Sequence, residues 1–239
     1  MVRIELAICL DYLVQSTPGA DFVFNIQAAR TRQQMVVWEG LQVSQRIPLL
    51  EYTDAVTHSR LLRLSALPGP LQVRYSATLD ITHHARPAQG LRETPVALLP
   101  SEVLVYLYPS RYCQSDCLTS HATALFGAMP QGYGRVQAVC DWVRSHVRFQ
   151  SNASNSMTSA LDTLTSRTGV CRDFAHLMIA LCRALNIPAR FTTAIDFGAD
   201  PALGPTDFHA YVEVYLDQRW YIFDPSWPCP RDGEPGDTA

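Results

Sequence analysis

No stretch of this 239-residue chain approaches the roughly 18 uninterrupted apolar residues that a membrane-crossing helix needs. Basic clusters are missing too. Nineteen Lys and Arg residues are scattered along a chain of net charge −3, which gives no electrostatic case for nucleic acid or an anionic membrane surface. Cysteine is too sparse for a disulfide-stapled secreted scaffold, and seven is an odd number, so reduced thiols in a cytoplasm are expected. The first residues read poorly as a leader because Asp11 interrupts the apolar stretch. Internal repeats and low-complexity tracts are also absent. What remains is ordinary globular composition, 47% apolar and 17% charged, with ample chain for a packed core in one large domain or two small ones.

The N-terminal part alternates with a period of two. Ile4, Leu6, Ile8, Leu10, Tyr12 and Val14 form one such run, Phe22, Phe24 and Ile26 a second, and Leu71 to Ile81 a long third. Further strands are expected at Met35–Val43 and Leu61–Leu67, so this part reads as an antiparallel β-sandwich. Prolines 87, 95 and 100 and Gly90 mark residues 83 to 101 as a linker, with His83 and His84 in solvated loop. The domains expected are therefore 1–100, sandwich plus linker, and 101–239, a helical and sheet-forming core; the fold class is α+β.

Helical spacing begins after Pro109. Ser110 is a candidate N-cap for a helix carrying Tyr112, Cys113 and Cys117, and Tyr133 to Val147 places Val136, Val139, Cys140, Val143 and Val147 on one face. A short helix at Ser159–Leu164 is expected to end at Thr168-Gly169. A buried helix from Cys171 to Leu185 follows, stopped by Asn186-Ile187-Pro188. Three strands come next: Ala189–Ile195, His209–Leu216 and Arg219–Phe223. Asp217-Gln218 forms a tight turn between the last two.

Cys171 opens its helix, where unpaired N–H groups and the positive end of the dipole favour a thiolate. In an antiparallel hairpin turning at 217–218, the first residue of one strand lies beside the last of the other, so His209 falls near residues 224–226 and Asp224 can reach its ring. A nucleophile, a base and an orienting carboxylate result. Cys171 attacks an acyl carbonyl, His209 moves the proton, and Asp224 fixes the tautomer. The Cys171 N–H is one oxyanion donor. Trp142 is a candidate for the second, but it sits beside an apolar stripe and reads better as packing.

Taken together, Gly169-Val170-Cys171-Arg172-Asp173-Phe174-Ala175-His176-Leu177, Leu185-Asn186-Ile187-Pro188-Ala189-Arg190, His209-Ala210-Tyr211-Val212-Glu213-Val214-Tyr215-Leu216 and Trp220-Tyr221-Ile222-Phe223-Asp224-Pro225-Ser226 resemble the core of the bacterial transglutaminase-like superfamily. The likeness covers residues 105–227, and the N-terminal region is similar to a β-sandwich found ahead of that core in one bacterial branch. It implies a papain-fold cysteine enzyme with Cys171, His209 and Asp224 as triad, no cofactor and no metal. It also implies a peptide or protein amide substrate, and hydrolysis as peptidase or amidase ahead of transamidation. Tyr211 and Ser226 stand where relatives often carry tryptophan and threonine. Relatives continue with sheet-forming sequence past the Asp-Pro pair, whereas this chain ends 15 residues after Asp224; a catalytically silent binding module is the alternative that this motivates. Any self-association is expected through the β region.

Other chemistry-bearing residues read more simply. Cys113, Cys117 and His121 share helical spacing but lack a fourth ligand and knuckle spacing, so packing is expected rather than zinc. Cys9, Cys140 and Cys182 are assigned to the core and Cys229 to an exposed tail. His176 lies off the Cys171 face and suits a supporting role.

Overall fold

The computed structural model describes residues 1–82, 87–88, 90–195 and 208–226. His83, His84, Cys229 and the tail after Ser226 lie outside them. The chain divides into two compact units, Met1–Ala85 and Arg86–Ala239.

The first unit consists of β1 (Val2–Val14), β2 (Ala20–Gln27), β3 (Gln34–Val43), β4 (Leu50–Thr53), β5 (Arg60–Ala66) and β6 (Gly69–Ile81). They form two three-stranded antiparallel sheets, in the orders β1-β6-β3 and β2-β5-β4. Alternation decides which face is buried. Leu71, Val73, Tyr75, Ala77 and Leu79 of β6 all point inward, as do Leu62, Leu64 and Ala66 of β5. Val14, Phe24, Leu62, Leu64, Leu71 and Val73 make one cluster drawn from both sheets. Cys9 departs from the core assignment and is exposed, because on β1 the even positions face inward and Cys9 belongs to the other face.

A polar network also joins the two sheets. Arg60 on β5 reaches Glu39 on β3 at 2.6 and 3.1 Å, and the Tyr75 hydroxyl donates to the same carboxylate at 2.9 Å. Burial works to raise the Glu39 carboxyl, but hydrogen bonds from Arg60, Arg30 and Tyr75 outweigh it and hold it at about 2.

The second unit runs through α1 (Ser101–Leu104), α2 (Ser115–Phe126), α3 (Tyr133–His146), β7 (Arg148–Phe149), α4 (Ala160–Ser166), β8 (Thr168–Gly169), α5 (Cys171–Ala184), β9 (Ala189–Ile195), β10 (Phe208–Leu216) and β11 (Arg219–Phe223). α5 is its centre. Every residue from Asp173 to Cys182 is buried, and the helix packs on α2, α3, α4, β9 and β10. A helix covered on all sides needs apolar residues all round, and Phe174, Leu177, Met178, Ile179 and Leu181 supply them.

β9, β10 and β11 make an antiparallel sheet with β10 in the middle. Leu216 pairs with Arg219, and Asp217 and Gln218 between them have φ of 45° and 62°. Two consecutive left-handed residues are what a type I′ hairpin turn requires.

Three local expectations differ from the structure. Ser110 does not cap a helix; Ser110 and Cys113 close a turn on each other by paired backbone bonds, and α2 starts only at Ser115. Thr168-Gly169 does not end α4, since Arg167 does so in the left-handed region, and the next two residues pair in parallel with Arg148-Phe149. Residues 91–94, read as linker, are built into the second unit. Glu93 binds Arg135 and the Gly132 N–H, and the Arg92 carbonyl accepts the Asp217 N–H at 2.9 Å.

The start of α5 depends on Asp173, only 1% exposed. Its Oδ2 accepts the Val170 N–H at 2.8 Å, and Gly169 lies so close that a Cβ there would sit 2.7 Å from the Asp173 Cβ. Asp173→Ala strands that donor and is expected to cost about 1–3 kcal/mol, read as a lower urea midpoint. An unchanged midpoint would mean that the cap contributes nothing.

Candidate active site

The Cys171 thiol is half-buried at the first position of α5. The backbone N–H groups of Ala210 and Arg172 act on it in favour of the thiolate, and Ala210 is the residue that follows His209 on β10.

His209 and Asp224 meet as the hairpin register requires. The ladder ends with Val212 opposite Phe223; continued outward, it sets Tyr211 opposite Asp224 and His209 opposite Ser226. The Asp224 carboxylate reaches diagonally, and His209 Nε2 lies 2.8 Å from its Oδ2. Ser226 supports the same carboxylate, its hydroxyl donating to Oδ1 at 2.8 Å and its N–H at 2.9 Å, with Oγ 3.3 Å from His209 Nε2. With Nε2–H given to Asp224, the neutral ring carries its acceptor lone pair on Nδ1. The Tyr211 ring packs against the imidazole at 4.6 Å between centroids. The three residues singled out in the sequence are thus gathered at one place, where the N-terminus of α5 meets the outer end of the β10–β11 hairpin.

Electrostatics at this site sets opposing influences on the thiol and the carboxylate. A helix terminus and a protonated imidazole both favour a thiolate, whereas burial pushes the Cys171 thiol up, and the negative charges of Asp224 and Asp173 add to that, against the Ala210 and Arg172 N–H groups. A helix dipole favours the thiolate by at most about 2 kcal/mol in favourable settings, while burial, the largest influence on this thiol, acts against it. For Asp224 the balance falls the other way. Burial works to raise its carboxyl, but the His209 and Ser226 hydrogen bonds hold it below the usual carboxylate range.

Trp142 is placed in packing. Its ring stacks on His146 at 4.3 Å and meets Phe126 and His121 edge-on. Cys113 is buried ahead of α2 while Cys117 on the helix is exposed, so with His121 they do not share a helix face. Among the described residues no three His, Cys, Asp or Glu side chains are grouped to hold a metal, and no helix is long and apolar enough to cross a membrane.

His176 is held by packing on aromatic rings. It is 8% exposed, stacked on Tyr112 with rings 5° from parallel, and packed against Phe191; its Nδ1 is buried without a partner among the described residues. Burial, aided by the charges of Arg172 and Arg183 and opposed by Asp173, depresses it to about 4 from 6.5. The unfolded chain therefore takes up this proton first as acid is added. The corresponding stability is complete above the unfolded value of 6.5 and is lost as pH falls toward 4, on the order of 3 kcal/mol in all. His176→Phe keeps the stack and is expected to flatten stability against pH in that window; an unchanged slope would contradict this.

Two contributors escape sequence reading. Arg144 of α3 donates from Nη2 to the Asp224 carbonyl at 2.7 Å, across 80 residues of sequence. Arg172 tethers the 150–158 loop beside the thiol, bonding Ser154 Oγ at 2.8 Å and the Asn155 carbonyl at 3.1 Å. Neither leaves a periodic signal, because each acts through the tip of a long side chain.

Comparison with known proteins agrees with this geometry. Residues 120–225 match the transglutaminase-like superfamily, a span that contains Cys171, His209 and Asp224. A crystal structure of a candidate cysteine protease from Cytophaga hutchinsonii is 39% identical, superposes with a TM-score of 0.85, and is covered over 94% of this chain and 79% of its own. An uncharacterised protein of Mycobacterium leprae (strain TN) is 30% identical over 95 residues, 38% of this chain and 34% of that protein, so the match spans about a third of its length. These likenesses support a function of the cysteine hydrolase or transamidase kind. On the strength of its four motifs, its α+β core and a likeness that extends over nearly its whole length, the chain belongs to the transglutaminase-like superfamily.

Proposed function

We propose that this protein hydrolyses amide or isopeptide bonds through a thioester on Cys171. The observation that carries the reading is the 2.8 Å contact between His209 Nε2 and Asp224 Oδ2, with the thiol under the influence of the Ala210 N–H next in sequence to that histidine and of the Asp224 charge.

The chemistry follows from the groups. Burial pushes the thiol up and so favours its protonated form; Sγ needs a base as it attacks the acyl carbonyl carbon, and Nδ1 of His209 is the acceptor for its proton. The imidazolium, stabilised by Asp224, returns that proton to the amine nitrogen as the carbon–nitrogen bond breaks, leaving a thioester and a free amine. Water then attacks the thioester carbon and gives its proton to His209, the acid departs, and the thiol is restored. The oxyanion faces the α5 N-terminus, where the Cys171 N–H is one of the donors that a helix leaves unbonded. An amine in place of water would give transamidation by the same steps.

The test is incubation of the chain with a peptide library, with and without a primary amine, read by mass spectrometry. Hydrolysed peptides that persist when amine is present are expected; amine-adduct products in their place would make it a transamidase. No product of either kind, with the same result from Cys171→Ala, would overturn the proposal.

A further inference from the structure

Asp224 lies one residue beyond the last pair of its ladder, yet its carboxylate has to meet His209 within hydrogen-bond distance. From this arrangement we infer that Arg144 is a positioning residue for the catalytic carboxylate, holding the Asp224 backbone from α3; the inference rests on the triad reading above.

The geometry is specific. Arg144 Nη2 donates to the Asp224 carbonyl at 2.7 Å, while Nη1 is held by Asp141 of the same helix at 3.1 Å and Nη2 also lies 3.7 Å from Cys140 Sγ. The side chain is only 22% exposed, and its Nε is buried without a partner among the described residues. Leaving a buried guanidinium donor unpaired is costly, so the fork is aimed at the Asp224 peptide and not at its own best satisfaction. α3 is anchored independently, with Val136, Val139, Cys140 and Val143 buried in the core around α5. Arg144 therefore ties the end of β11 to the part of the fold that also carries Cys171.

The consequence is steric before it is electrostatic. The carboxylate reaches His209 diagonally across the register, so a backbone shift of about 1 Å at Asp224 would break a 2.8 Å bond. Without that bond the imidazole loses its fixed tautomer and the stabiliser of its cationic form. Arg144 touches neither the thiol nor the ring; its effect passes through Asp224. Lysine could not replace it fully, since a single ammonium lacks the fork that spans Asp141 and the Asp224 carbonyl together.

The experiment follows alkylation of Cys171 by iodoacetamide in the full chain, resolved by mass spectrometry of the Cys171 peptide, as the ratio of the rate at pH 6 to the rate at pH 9. A base in place sustains reaction at pH 6. His209→Gln sets the limit without it, expected about a hundredfold below wild type in this ratio. Arg144→Met is expected to lower the ratio about tenfold or more, and Arg144→Lys and Asp141→Asn by smaller amounts in the same direction. A purely structural role would lower the melting temperature and leave the ratio alone. If His209→Gln matches wild type, the triad reading itself fails. If His209→Gln falls while folded Arg144→Met keeps the wild-type ratio, the triad stands and the role of Arg144 is overturned. Should Arg144→Met not fold, Arg144→Lys decides on the same terms.

Discussion

Replacing Cys171 with alanine lowers amide cleavage by at least about 10⁴-fold, to the residue left by substrate binding and the oxyanion site. The peptide that the library identifies is the substrate, and kcat/KM is the measured quantity. His209→Gln falls nearly as far, because a thiol whose burial opposes ionisation depends on its base to reach the reactive thiolate. Asp224→Asn is milder, about 10³-fold, since the imidazole survives but its tautomer and its cation lose their partner. The three act as a unit, so Cys171→Ala/His209→Gln should be no worse than Cys171→Ala alone. Activity within about tenfold of wild type in Cys171→Ala would remove the nucleophile from the account.

The second large effect concerns the scaffold. Glu93, outside every named element, binds the Gly132 N–H at 2.9 Å and Arg135 through Nε at 2.8 Å and through Nη2. Arg135 is only 6% exposed and Glu93 10%. Removing one member of such a pair leaves a desolvated charge, so Glu93→Ala is expected to cost about 3–5 kcal/mol in urea unfolding of the second unit. Glu93→Ala/Arg135→Met should lose less than Glu93→Ala, because the stranded charge goes with it. Equal or additive losses would show that the pair is not the source of the effect.

How much of this could be read from the sequence depended on whether a residue's role repeats along the chain. β9 and β11 have the bounds that alternation sets, and β10 differs by one residue, because apolar periodicity and the Asp217-Gln218 turn both fix them. That register alone was enough to bring His209 to Ser226 and Asp224. β4 gave no such signal, since all four of its residues are exposed, and β7 and β8 are two residues each, too short for any period. Ser110 had the composition of a cap, but a turn competed for the same backbone groups. Arg144 and Glu93 act across 80 and 42 residues through side-chain tips, and no local pattern encodes such a reach. The burial of the Cys171 thiol is illegible in the sequence for a related reason. The helix terminus is visible in the sequence, whereas the burial that opposes it is a property of the assembled core.

The central claim, that Cys171 carries the acyl group, is tested most directly by trapping the intermediate. The full chain is mixed with an activated acyl amide, quenched in acid after milliseconds, and the acyl mass is located on its peptides. The account predicts a hydroxylamine-sensitive adduct on Cys171, absent in His209→Gln at the same time, with the exposed Cys9 and Cys117 unmodified. An adduct spread over Cys9 and Cys117, or formed on Cys171 equally fast without His209, would contradict it.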